Sequence, residues 1–227
     1  MCGKFTAMAS WAEVVAFSQP LTADRFASGA NDRDVTFRVM DVLPLHVWDQ
    51  EKQMRRILGA RWGFPHPSDW RRPQPIHARS ESIETTKAFA RAFLDGQRGV
   101  VLVKTFNEAP DVPGKSEQHT ITTDANVSGI AFIWRRFDVG AAVPPLFACV
   151  MVTVPANKLI AGLPTDRMPA ILDPADWAKW TGEEGATVDE LKAMLKTAEG
   201  VDWKMQREQR GKSEPRPEAA KQSGGLF

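Results

Sequence analysis

Three eight-residue runs of mostly β-branched, aliphatic and aromatic residues constrain this chain more than any other feature. They are "GVVLVKTF" (residues 99–106), "IAFIWRRF" (130–137) and "FACVMVTV" (147–154). Each has the length and make-up of a strand buried in a sheet. Residues 35–48 and 55–62, rich in Val, Leu, Phe and Trp, also read as strands. Four segments read as helices. "SWAEVVAFS" (10–18) has Ser10 and Glu13 in capping-box spacing, and "TVDELKAMLKT" (187–197) has Thr187 and Glu190. "ETTKAFARAFLDG" (84–96) is amphipathic and ends on Gly, and "DPADWAKW" (173–180) is the fourth. Helices and strands do not alternate regularly, which argues against a doubly wound parallel sheet. "ARWGFPHPSDWRRPQPIHARSE" (60–81) holds four prolines and must be extended and looped, and residues 107–129 read as a long polar connection. The expectation is one α+β domain over residues 1–210, then a polar tail, 211–227, whose composition is that of disorder.

Several function classes drop out. No 18-residue apolar run predicts a membrane helix, and the start lacks the pattern of a secretory signal. With only Cys2 and Cys149, and Cys149 inside an apolar run, no disulfide is expected and a reducing cytoplasm fits. His46, His66, His77 and His119 show no zinc-ligand spacing, so neither a metal nor a cofactor is expected. There is no phosphate-binding glycine loop and no nucleophile elbow. Net charge is only +1, yet residues 52–104 carry 11 Lys/Arg against 4 Asp/Glu, while the segments on either side are each net −3. Such a local excess suits either a solvated face or a groove for an anionic polymer.

The chain opens "MCGKF". If Met1 is removed, Cys2 carries an α-amine and a thiol on adjacent carbons, with ordinary pKa values of about 8 and about 8.5. An aldehyde meeting that pair forms an imine and then a thiazolidine ring. Glu108 follows an apolar strand in "VLVKTFNEA", a place where a partly desolvated carboxyl could serve as an acid. "HARSE" (77–81) and "DRMPAIL" (166–172) complete the set of candidates.

Taken in order, "MCGK", "RWGF-P", "HARSE", "F-N-E" and "DRMPAIL" resemble the SRAP family, the SOS-response-associated peptidases or abasic-site processing proteins. That family's usual forms are M-C-G-R, W-G-L-x-P, N-A-R-x-E, G-F-Y-E-W and H-x-R-M-P. The resemblance spans about residues 1–181. It implies a single α+β domain with a curved, barrel-like mixed sheet and peripheral helices. It also implies binding of single-stranded DNA, covalent capture of abasic sites by the N-terminal cysteine, and self-processing to remove Met1. Position by position, Cys2 matches the family's nucleophile and Glu108 its catalytic glutamate. Arg79 and Arg167 match arginines that contact DNA phosphates, and Trp62 and Gly63 match the pair beside the DNA groove. Lys4 replaces an arginine, keeping its charge but not its bidentate geometry. His77 stands where the family has Asn, and Thr165 where it has His. The expectation is that His77 supplies the imidazole that Thr165 cannot, with Thr165 alongside it.

The residues alone leave other readings open. One is a cysteine peptidase or N-terminal-nucleophile hydrolase acting on peptides. Another is a non-catalytic single-strand binding module whose site has decayed. Arg79 and Arg167 could pair with Glu81 or Asp166, and Trp62 could be core. The expected partner is single-stranded DNA with abasic sites, with no membrane association and a monomeric state.

Overall fold

The structure, a computed structural model, describes residues 2–7, 35–110, 117–125, 127–140 and 143–208. The three apolar runs form its centre. They become β8 (Arg98–Val103) with β9 (Thr105–Glu108), β11 (Ser128–Phe137) and β12 (Leu146–Pro155). All of β8, and β12 from Ala148 to Val154, are buried, as continuous apolar runs require.

The expected strand over 35–48 is two strands, β2 (Val35–Arg38) and β3 (Val42–Asp49), followed by β4 (Met54–Trp62). The break is a tight turn. Met40 takes φ 81°, the Asp41 carboxylate accepts the Arg38 N–H at 2.8 Å, and the Asp41 N–H returns to the Arg38 carbonyl at 3.0 Å. The proline-rich segment holds the hairpin β5 (Pro65–His66) and β6 (Asp69–Pro73), then β7 (His77–Arg79). The remaining strands are β1 (Lys4–Ala7), β10 (His119–Thr122), β13 (Arg167–Pro169), β14 (Ile171–Leu172) and β15 (Lys204–Arg207). The expected 107–129 connection thus contains β10. Its sequence, HTIT, buries only Ile121, too little apolar periodicity to stand out.

Pairing closes the larger sheet on itself. β12 pairs β4 in parallel, β4 pairs β3, β3 pairs β8, β8 pairs β11, and β11 returns to β12, all antiparallel after the first. This ring is the expected barrel-like mixed sheet, with β7, β13 and β14 added at its margins. Closure removes edges that would otherwise pair with other chains. A second, antiparallel sheet runs β15-β10-β9-β1-β2. Phe5 and Phe106 bring its apolar face onto the common core, where Phe5 packs on Trp62 with ring centroids 5.1 Å apart.

Helices are few and peripheral. The expected 84–96 helix is reduced to α1 (Ala90–Leu94), preceded by turns on the Ser82 carbonyl. "DPADWAKW" gives a 3-10 turn and α2 (Trp177–Thr181). α3 (Val188–Met194) starts with both halves of its capping box, Glu190 N–H to Thr187 Oγ1 at 3.2 Å and Thr187 N–H to Glu190 Oε2 at 2.7 Å. The expected 10–18 helix and the 211–227 tail lie outside the described residues.

Candidate active site

Strand pairing brings the two ends of the chemistry together. β1 pairs antiparallel with β9, Lys4 opposite Asn107 and Phe5 opposite Phe106. Cys2 leads β1 and Glu108 ends β9, so both lie at the same end of the ladder. Phe106 points into the core, and side chains alternate along a strand. Glu108, two residues on, therefore points inward too, and it is 0 % exposed. Burial pushes its carboxyl well above the ordinary 4.5, to about 7. At neutral pH this carboxyl is poised to give or take a proton.

Cys2 is 2 % exposed. Its thiol donates to the Lys4 carbonyl at 3.4 Å. Burial, and then the nearby Glu108 carboxyl, push the thiol above its ordinary value; hydrogen bonds with the Lys4 and Asn107 backbone act the other way without offsetting this. It is a protonated thiol at neutral pH, unlike the thiolate of an exposed nucleophile.

His77 reaches the same place from the larger sheet. It opens β7, whose parallel pairing with β12 sets it opposite Met151. Its Nε2 donates to the Cys2 carbonyl at 2.6 Å. A carbonyl only accepts, so the proton is on Nε2. Burial is the main cause that lowers the His77 pKa, and the imidazole is neutral at pH 7. The structure therefore brings together Cys2, His77 and Glu108. The carbonyl that His77 holds is that of Cys2, not the one in the Met1–Cys2 bond, and Met1 lies outside the described residues.

Thr165 is not drawn into this group. Its hydroxyl donates to the Arg167 carbonyl at 3.4 Å and its N–H to the Leu163 carbonyl at 2.7 Å. Among the described residues it makes no hydrogen bond to Cys2, His77 or Glu108. His77 and Arg167 pair with β12 positions four residues apart, Met151 and Pro155, which is about 13 Å along the strand.

Four expected DNA contacts have other employment. Trp62 is 0 % exposed, donates Nε1–H to the Ile76 carbonyl at 3.2 Å and packs on Phe5 and Phe132, so no base can stack on it. Gly63 serves the backbone. Its φ is +112°, and a Cβ there would lie 2.4 Å from Pro73 Cβ. Arg167, 6 % exposed, has its guanidinium on Glu81 at 2.5 and 2.9 Å and on the Thr153 carbonyl at 2.5 Å, the ion-pair alternative weighed for it. Lys4 pairs with Glu208 at 2.7 Å. Arg79 differs. It is exposed and, among the described residues, its guanidinium has no hydrogen-bond or ion-pair partner. With Ala78 buried between them, alternation puts Arg79 on the same face of β7 as His77.

Sequence reasoning missed Asn107 and Glu208. Asn107 is 2 % exposed, and its Nδ2 donates to Glu208 Oε1 at 2.8 Å and to Thr120 Oγ1 at 3.0 Å. The only signal was Asn107's place inside an apolar strand. A cavity of about 360 Å³, walled in part by Trp177, Trp203, Asp124 and Asp173, includes none of Cys2, His77 or Glu108. No metal-ligating group of three His, Cys, Asp or Glu occurs among the described residues, and no helix there is long and apolar enough to cross a membrane.

Comparison with known proteins agrees with the motif order. The family model described as SOS response associated peptidase (SRAP) matches residues 1–209. Crystal structures with a similar fold include a protein from Bacteroides thetaiotaomicron, 16% identical with a TM-score of 0.76, covering 92% of this chain and 93% of its own. A protein from Bordetella bronchiseptica is 18% identical with a TM-score of 0.69, at 92% and 100% coverage. A phage-related protein from the same organism is 18% identical with a TM-score of 0.65, at 92% and 95%. No curated protein sequence matches the chain.

Proposed function

Because this chain belongs to the SOS response associated peptidase family, we propose that it is a single-stranded-DNA-binding sensor of abasic sites that captures them through Cys2 once Met1 has been removed. The supporting observation is the convergence of His77 and Glu108 on one residue: Nε2–H of His77 on the Cys2 carbonyl at 2.6 Å, and the buried Glu108 carboxyl at the same end of the ladder, near enough for its charge to raise the Cys2 thiol.

Removal of Met1, by the site itself or by an aminopeptidase, turns the Cys2 nitrogen into an α-amine near Glu108. The amine attacks C1′ of the open-chain aldehyde, a C–N bond forms, and the carbinolamine results. Glu108, protonated, gives its proton to the leaving hydroxyl, and water departs to leave an iminium. The Cys2 thiol then attacks the same carbon, a C–S bond forms, and the thiol proton returns to the Glu108 carboxylate. One aldehyde and one aminothiol give one thiazolidine and one water. Ring closure is fast because amine and thiol share a residue. A high thiol pKa is no obstacle, since the amine makes the first attack. Removal of the protein's own Met1 by the site would itself be the peptidase activity that the family description names. His77 acts here by holding the Cys2 carbonyl, and Arg79, on the His77 face of β7, suits a phosphate contact that carries no sequence information.

The test is incubation of protein lacking Met1 with single-stranded DNA carrying one abasic site. A band that survives denaturation is expected with wild type and none with Cys2→Ala, with single-strand affinity kept. A cross-link of equal stability in Cys2→Ala would assign the chemistry to another nucleophile. Salt-sensitive binding with no band in wild type would favour a binding module.

A further inference from the structure

We propose that Glu208 is a positioning residue for the Cys2–Glu108 pair, a role that rests on the reading above: its carboxylate clamps β1 to β9 at the rung next to both groups. Phe5, Phe106 and Ile121 are all fully buried on the core face of the small sheet. Their neighbours Lys4, Asn107 and Thr120 stand in register across β1, β9 and β10, on the opposite face. All three donate to one oxygen, Glu208 Oε1: Lys4 Nζ at 2.7 Å, Asn107 Nδ2 at 2.8 Å and Thr120 Oγ1 at 3.2 Å. The Glu208 N–H is itself pinned to the Gln118 carbonyl at 2.8 Å. Lys4 and Asn107 are the last paired residues of their ladder, one residue from Glu108 and two from Cys2.

The clamp matters because this ladder is short. β1 meets β9 through only three residue pairs, Lys4–Asn107, Phe5–Phe106 and Thr6–Thr105. The end of such a ladder frays readily, and Cys2 lies beyond it. A charge-assisted hydrogen bond at the last rung opposes that fraying. It acts through the sheet, from the face away from Glu108, so it can hold the cysteine without occupying the site. Burial alone would raise the Glu208 pKa, but the hydrogen bond and charge of Lys4, with Thr120 and Asn107, bring it below the ordinary value, so the carboxylate is ionised at neutral pH. Lys4, expected on DNA, is instead the cation of this clamp.

The experiment uses the full chain and two readouts. The first is alkylation of the two thiols by iodoacetamide, resolved by mass spectrometry. Cys149, fully buried in β12, serves as the internal control for general loosening. In Glu208→Gln, loss of a charged hydrogen bond should speed Cys2 alkylation about tenfold and leave Cys149 unchanged. The charge swap Lys4→Glu with Glu208→Lys should restore the slow rate. Should Glu208→Gln fail to fold, Thr120→Val removes one donor and should speed Cys2 alone about threefold. The second readout is cross-linking to abasic single-stranded DNA. Its rate at saturating DNA should fall about tenfold in Glu208→Gln, with the half-saturating concentration within about twofold of wild type. Cys2 alkylation that stays at the wild-type rate, or that rises only together with Cys149, overturns the assignment. A wild type that forms no cross-link sinks the proposed function alone, because the alkylation comparison still judges Glu208.

Discussion

Replacing Glu108 by Gln should make the protein more stable at alkaline pH while removing the proton that capture needs. The side chain is fully buried, and burial lifts its carboxyl from 4.5 to about 7. The native state thus holds this proton more tightly than the unfolded chain does. The stabilisation from that tighter binding is complete below about pH 4.5 and is lost as pH rises through about 7. The interval between 4.5 and about 7 corresponds to about 3 kcal/mol. Glutamine has the same shape and does not ionise. The stability of Glu108→Gln minus that of wild type should therefore grow by about 3 kcal/mol between pH 4.5 and pH 8.5, which in a chain of this size is a rise of about 6–12 °C in relative Tm. Urea unfolding followed by tryptophan fluorescence at several pH values measures it. His46 titrates in both proteins and cancels in the difference. A difference that does not change with pH would mean that Glu108 ionises as it would in water, and the desolvated acid in the proposed mechanism would be refuted.

Arg79→Ala should weaken single-stranded DNA binding with little sequence dependence and reduce the salt slope by about 0.7, the share of one phosphate. Arg167→Ala should leave that slope unchanged and instead cost about 1–3 kcal/mol of folding stability, from the lost bonds to Glu81 and the Thr153 carbonyl; a reduced slope would return Arg167 to the DNA. Burial holds the His46 imidazole down to about 4, below its ordinary 6.5, so its contribution is present above pH 6.5 and is lost as pH falls through about 4. Relative to His46→Leu, wild type should lose about 3 kcal/mol across that range in a pH series of denaturant melts, and parallel acid limbs would contradict it. Gly63→Ala should lower stability by more than about 1 kcal/mol, because it meets both a left-handed φ and the Pro73 ring; a neutral effect on Tm would show that the turn can shift.

Much of this architecture is written locally. A buried strand is a contiguous apolar run, so residues 99–106, 130–137 and 147–154 announce β8, β9, β11 and β12 without any partner in view. The α3 capping box is equally local, because Thr187 and Glu190 satisfy each other within one turn. Cys2, His77 and Glu108 were legible through motif order, and strand pairing then set the first two 75 residues apart in sequence but in hydrogen-bond contact. Only the tertiary structure closed the ring, since β12 finds β4 and β7 through backbone groups that carry no side-chain signature. It alone decided which cations are free. Arg79 and Arg167 both sit in motifs associated with DNA, yet Arg167 meets a carboxylate 86 residues away while Arg79 faces water. Trp62 likewise gives no local sign of its fate. An indole suits a core and a stacking platform equally well, and the convergence of Phe5, Phe132 and the Ile76 carbonyl on it made it core. Periodicity reports how apolar a face is. It does not report which distant charge or ring that face will meet, and the roles of Lys4, Asn107 and Glu208 depend on that meeting.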